Sequence, residues 1–238
     1  MTQTRLTPSP SAASSLPRTN ALIARLPNET QNQLLAHCTT VTLSRNDTLI
    51  EAGSAEEWTY LPCSGLVSLQ TTTEDAASVE VALIGREGVV GLNGASDHES
   101  AYSAVVIVPG EAFRLRPAAL RAECERNPLL QRVLFHYAHA LIGEMAQGSA
   151  CHRFHTARQR LARWLLTVSD RTQSARIDMT QVRLGQALGL QRTGATAASI
   201  ALQDLGAIKA RHGRITILDR RRMESAACEC YRRERVHP

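Results

Sequence analysis

Apolar positions along the chain change their spacing several times, and each change marks an element. From Ala21 to Leu35 they recur at helical intervals, predicting a short amphipathic helix. Between Val41 and Arg116 the spacing shortens to alternation. Strand-like runs fall at Val41 to Leu43, Thr48 to Glu51, Thr59 to Leu61, Leu66 to Thr71, Val79 to Leu83, Tyr102 to Val108 and Ala112 to Leu115. Glycines 53, 65, 85, 88, 91 and 110, with Pro109, punctuate them. Many short strands so divided predict an antiparallel sandwich or roll. At Asn127-Pro128 the pattern returns to helix, with asparagine as N-cap and proline at the first helical position. The stripe that follows is Leu130, Val133, Leu134, Tyr137, Leu141, Ile142 and Met145. It suits either the face of the β-roll or a second copy of itself, and its length favours the second. Thr156 to Gln159 reads as a capping box opening another helix, with Leu161, Trp164, Leu165 and Val168 on its buried side.

The segment from Asp178 to Asp219 carries the most specific pattern. Leu184, Leu188 and Leu190, then Ala195 and Ala198, sit where a helix-turn-helix requires apolar residues. Gly185 is small where two helices cross, and Gly189 supplies a turn conformation that an L-residue resists. Leu205-Gly206 reads as a left-handed C-cap. Two short strands, Ala207 to Ala210 and Ile215 to Leu218, flank Gly213 together with Lys209, Arg211 and Arg214. A cationic hairpin after a helical pair is a wing, and the combination points to DNA.

Charge sharpens this picture through its distribution. The net charge is only +5, yet residues 151–238 hold 17 Lys and Arg against 7 Asp and Glu, while residues 1–150 hold 10 against 15. An acidic module joined to a basic one that meets phosphates accounts for the split. Of the basic side chains 26 are Arg and only Lys209 is Lys, so placement counts for more than number. No apolar run approaches the roughly 20 residues of a membrane helix, and residues 1–20, rich in Ser, Thr and Pro, read as a disordered tail without a secretory signal. Six cysteines, widely spaced apart from Cys228 and Cys230, fit a reduced cytoplasmic setting.

In order and spacing, the motifs EAGSAEEWTYLPCSGLVSL, VALIGREGVVGL, the long helix, RLARWLL, the helix-turn-helix with HGRITILD and the terminal CECY resemble the CRP/FNR superfamily of bacterial transcription regulators. The resemblance spans Ala21 to Tyr231. It implies an α+β chain: an antiparallel cyclic-nucleotide-binding-like β-roll (21–126), a long dimerisation helix (127–152), a winged helix-turn-helix (153–223) and a C-terminal tail (224–238). It further implies a homodimer setting two recognition helices in successive major grooves of a palindromic double-stranded operator, about 34 Å apart, and touching RNA polymerase. The expected dimer contacts are Leu130, Leu134, Tyr137, Leu141 and Met145. Gln191, Arg192, Thr193, Thr196 and Ala197 are expected at the DNA, with Arg211 and Arg214 on the wing. Arg192 alone is able to grip guanine O6 and N7 together.

Departures from the family pattern are equally informative. Members that bind cyclic AMP have Gly-Glu in the phosphate turn and Arg-Ser or Arg-Thr soon after. This chain has Gly91-Leu92, then His98-Glu99-Ser100-Ala101 without arginine. A phosphate left without its cation is poorly compensated, so no response to cyclic AMP is expected. No cysteine precedes Cys38, which argues against the N-terminal iron-sulfur cluster of other members. The pairs His136/His139 and His152/His155 lack evident partners, and Cys228-Glu229-Cys230 is spaced too tightly for the usual zinc pair, so no metal or cofactor is expected. A haem- or metal-based redox or gas sensor on the same frame is the alternative. The motifs of hydrolases, metalloproteases and P-loop enzymes are absent, and no enzyme is expected.

Overall fold

A computed structural model describes residues 20–74, 77–92 and 99–234. The chain forms two compact units, residues 1–70 with 83–139 and residues 71–82 with 140–238.

In the first unit, strands β1 (Thr39–Leu43) and β3 (Thr59–Pro62) pair antiparallel with β7 (Gly110–Leu115). A second sheet runs β2-β6-β4-β5, from Thr48–Ile50, Ser103–Val108, Leu66–Thr72 and Ser78–Ile84. All seven expected strands are present within a residue or two. Leu43, Leu61, Leu66, Ala104, Val106, Ala112 and Leu115 are fully buried along them, each large one contributing roughly 1.5–3 kcal/mol. The helix expected over Ala21 to Leu35 is instead a 3-10 turn, Ile23–Arg25, followed by α1 (Asn28–Leu35). Pro27, extended at φ −56° and ψ 146°, separates them, because the residue before proline disfavours helix. Asn20, placed in the tail by sequence, is buried inside the fold. Its side chain donates to Pro62 O and Gly88 O and accepts from the Leu22 and Ile23 amides. Residues 1–19 lie outside the described residues.

A helix not anticipated, α2 (Pro117–Arg126), precedes α3 (Pro128–Phe154). Asn127 caps α3 as expected, accepting from the Leu129 and Leu130 amides. The proposed dimer stripe needs correction. Leu130 and Leu134 are buried, and with Tyr137 they close a core of Leu22, Ile23, Leu26, Leu34, Leu61, Val89, Leu115 and Leu120. The Tyr137 hydroxyl donates to Val89 O at 3.1 Å. The first three turns of the helix therefore cover their own roll, and Leu141 and Met145 are half-buried. Phe135 at 72% and Ile142 at 64% exposure are open to solvent, seven residues apart and so on one side of the helix, with Leu129 and Phe154 exposed at its two ends.

In the second unit, α4 (Ala157–Thr172) opens on the expected capping box between Thr156 and Gln159. Leu161, Trp164, Leu165 and Val168 are all buried as anticipated. Helices α5 (Gln181–Leu188) and α6 (Arg192–Asp204) follow, then β9 (Ile208–Arg211) and β10 (Arg214–Ile217). The wing has a third, unforeseen strand, β8 (Arg176–Asp178), paired with β10. The segment read as a C-terminal tail, 224–238, also folds: it completes α7 (Arg220–Ala226), forms α8 (Cys230–Glu234) and buries Cys228, Cys230 and Tyr231. The Tyr231 hydroxyl donates to Asp170, and Arg220 donates to both. Within this unit β5 lies against α4, with Trp164 Nε1 donating to Glu80 at 2.7 Å.

Candidate DNA-binding surface

Local chemistry explains each joint of the helix-turn-helix. Thr180 accepts from the Arg183 amide to start α5, and Gly189, at φ +56°, ends it. A Cβ at Gly185 would stand 2.7 Å from Leu190 O, so the glycine admits the turn backbone rather than the crossing helix. The Arg160 guanidinium donates to Leu188 O and fixes the same turn from α4. Ala195, Ala198 and Leu202 of α6 are buried, and Gln181 shares a 3.5 Å hydrogen bond with Ser199. Gln191 occupies the N-cap with no side-chain cap bond, as its poor capping power predicts. Gly206 closes α6 at φ +64°.

Outward on α6 are Arg192, Thr193, Ala197, Ile200 and, at its end, Asp204, with Thr196 half-buried and the N-cap Gln191 exposed. Thr196 is partly spent, since its hydroxyl donates to Arg192 O at 2.9 Å. The Arg192 side chain has no ion pair among the described residues. Ile200, half exposed, is one residue the sequence reading missed. Its signal was the helical spacing from Thr193, Thr196 and Ala197.

The wing stands beside this face. His212 and Gly213 both take positive φ, 49° and 73°, which turns the β9–β10 hairpin in two residues. The Ala210 amide donates to Gln203 on α6 and so anchors the wing to the helix. A groove between them is lined by Thr196, Ile200, Gln203, Arg211 and Arg214. Arg211 is exposed and Lys209 is exposed on the same strand. Arg214 is differently placed, paired with Asp178. Of the helix and wing residues named from sequence, Thr196, Arg211 and Arg214 line this groove, while Gln191, Arg192, Thr193 and Ala197 are exposed along the first turns of α6.

The corresponding ligand turn of the β-roll is packed with protein groups. Val90 and Tyr60 exchange two backbone hydrogen bonds, Thr59 donates to Gly91 O, and Leu92 lies against the core beneath α3. Glu99 bridges Ala55, and Ser100 is buried with its hydroxyl donating to Tyr102 O. Asp97 and His98 lie outside the described residues. Arg114 and Arg116 both stack on Trp58, at 4.3 and 3.7 Å from the ring centre. Glu56 is buried and accepts from Tyr102, whose phenol is pushed upward by burial and by that carboxylate.

A second constellation emerges that spacing did not reveal. Cys151 on α3, His155 beyond its end, and Cys228 and Cys230 flanking Glu229 place their four donor atoms within 4.8 Å of one another. The Cys151 thiol is lowered from its ordinary value, chiefly by its hydrogen bond to Cys228, against burial and with help from Arg163. Cys228 is raised by that same bond and by burial.

A winged helix-turn-helix with exposed arginines, joined to an antiparallel β-roll, defines a DNA-binding transcription regulator. Residues 159–226 match the Crp-like helix-turn-helix domain, and residues 40–127 match the cyclic nucleotide-binding domain. With both domains in that order, the chain belongs to the CRP/FNR superfamily. Its fold is similar to that of FixK2 from Bradyrhizobium japonicum, at 17% identity and a TM-score of 0.69, covering 80% of this chain and 98% of that one. It is also similar to CLP of Xanthomonas campestris, described as a c-di-GMP-responsive global regulator, at 16% identity and 0.69, covering 81% and 100%. A CRP/FNR-family regulator from Thermus thermophilus aligns at 20% identity and 0.68, covering 79% and 97%. No curated protein matches the sequence significantly. Among the described residues no helix is long and apolar enough to cross a membrane.

Proposed function

We propose that this regulator acts as a homodimer on a palindromic double-stranded site, without cyclic AMP or cyclic GMP as its signal. The observation that carries the DNA assignment is the shared exposure of Arg192, Thr193 and Ile200 on α6 beside Arg211 on the wing. Arg192 supplies the guanine contact, while Thr193 and Ile200 offer apolar contact to thymine methyls. Arg211 and Lys209 supply phosphate contacts that set register without reading sequence. The dimer contact runs along α3 through Phe135 and Ile142, the exposed apolar residues at heptad spacing. Two copies related by a two-fold axis bury them together and present two α6 helices to one DNA face. RNA polymerase is the partner that the family resemblance implies.

Against cyclic nucleotides stands the absence of a compensating cation at 99–101, with Leu92 turned to the core and Arg114 and Arg116 occupied by Trp58. The test is selection of bound sites from random DNA with the purified full chain. A palindrome with half-sites one helical turn apart is the expected product; sequences without two-fold symmetry would overturn the dimeric reading. A metal-linked sensor is the second reading, favoured by the Cys151, His155, Cys228 and Cys230 constellation.

A further inference from the structure

Three of the six cysteines form a buried cluster with no aliphatic member: Cys151 and Cys230 at 0% exposure and Cys228 at 4%. A buried cysteine that merely packs does so among aliphatic side chains. Here the thiols face one another and a histidine. Cys151 Sγ lies 3.6 Å from Cys228 Sγ, and Cys230 Sγ lies 3.6 Å from His155 Nδ1. These are the edges of a coordination tetrahedron. Zinc–sulfur bonds of about 2.3 Å and zinc–nitrogen bonds of about 2.0–2.1 Å give sulfur–sulfur edges near 3.8 Å and sulfur–nitrogen edges near 3.6 Å. The widest donor pair, at no more than 4.8 Å, exceeds this by at most about 1 Å, within the reach of side-chain adjustment.

We propose that Cys151, His155, Cys228 and Cys230 bind a single tetrahedral zinc ion, fastening the segment between α7 and α8 to the end of α3. The surrounding groups suit this role. His155 turns Nδ1 to the thiols and Nε2 to Glu229 Oε1 at 3.1 Å, the carboxylate–histidine arrangement that fixes a ligand's tautomer. Gln147 Nε2 lies 3.0 Å from Cys230 Sγ, a donor to thiolate sulfur. Three thiolates on a dication leave one net negative charge. On binding, the thiol protons pass to solvent and each sulfur donates an electron pair, with no change of oxidation state. Four donors this close enclose one ion; a cluster of several irons spreads its thiolates over separate metals. The tight Cys-x-Cys spacing is no obstacle, because α3 and the residue just past its end supply the other two ligands from about 75 residues away in sequence.

The test uses the full chain purified under reducing conditions. Elemental analysis should find one zinc per chain. Cobalt(II) titrated into the metal-free chain should give the visible d–d bands of a tetrahedral site and a thiolate charge-transfer band. Cys228→Ser and Cys230→Ser should lose those bands while Cys63→Ser keeps them, and Glu229→Gln should weaken affinity by about 10–100-fold. Because Cys228→Ser also removes a buried thiol, circular dichroism of each variant is recorded beside the titration. Absence of cobalt bands in the folded, reduced wild type would overturn the proposal. So would a Cys151–Cys228 disulfide in anaerobically purified protein, or iron with acid-labile sulfide in place of zinc. The result is independent of whether the chain binds DNA.

Discussion

Arg214 and Asp178 face each other in register across β10 and β8, Nε to Oδ1 at 2.9 Å. Arg176 shares the same carboxylate at 3.6 Å. Both partners are about half exposed, so the pair contributes only about 0–1 kcal/mol to stability. The pair holds one wing arginine against an acid, while Arg211 makes no ion pair among the described residues.

Arg211→Ala should therefore weaken binding to all sequences and reduce the salt slope by about one. Arg214→Ala should cost less, and Asp178→Asn should raise non-specific affinity. Fluorescence anisotropy over a salt series separates these outcomes. Equal losses at positions 211 and 214 would contradict the role given to the ion pair.

Arg192→Ala should cost about 1–3 kcal/mol on the selected operator and relax preference at one base in each half-site. Ile200→Ala should reduce discrimination without changing the salt slope, because it removes apolar contact and no charge. Binding measured against a panel of single-base variants reads both effects.

Charge placed on α3 should act differently on its two sides. Phe135→Glu and Ile142→Glu should give folded monomers with reduced operator affinity. Leu134→Glu should fail to fold, and Leu134→Ala should lose about 2–5 kcal/mol, since that side chain fills the roll's own core. Light scattering and thermal unfolding distinguish dissociation from collapse. A monomeric wild type at micromolar concentration would remove the basis for this assignment.

Calorimetric titration with cyclic AMP and cyclic GMP should show no appreciable binding. Loss of a charge-assisted contact to a buried phosphate costs a few kcal/mol, about two orders of magnitude in affinity. Micromolar heats of binding would restore nucleotide sensing.

Alkaline pH should unfold the first unit through its thiols. Burial pushes Cys38 up to about 12, with Cys63 nearby adding to it, and burial pushes Cys63 up to about 11. Their ordinary value is 9.0, so above it the unfolded chain sheds protons that the folded chain retains. The stability from protonated thiols is full below pH 9 and is lost as pH rises toward 11–12. Unfolding titrations at pH 8 and pH 10.5 should differ in that direction, and a Cys38→Ala, Cys63→Ala chain should show a smaller difference.

Elements governed by local rules were legible in the sequence. Alternation with glycine punctuation located seven strands, while capping chemistry at Asn127 and Thr156 and the left-handed glycines 189 and 206 placed the helix ends. Features set by distant contacts were not. An amphipathic stripe reports that Leu130 and Leu134 are buried, never against what, and the core beneath them comes from residues 22–120. The β8 strand is three residues long and takes its conformation from β10. The four metal-type donors lie on segments about 75 residues apart, and only the fold of α7 and α8 unites them.

The wing carries the chain's single lysine, exposed on β9 beside Arg211. An amine-directed reagent therefore has one side-chain target, and that target sits where DNA is expected to cover it. Intact-mass labelling with and without operator would then give a footprint of the wing at single-residue resolution, with no engineered tag. The scarcity of lysine makes the chain its own occupancy probe.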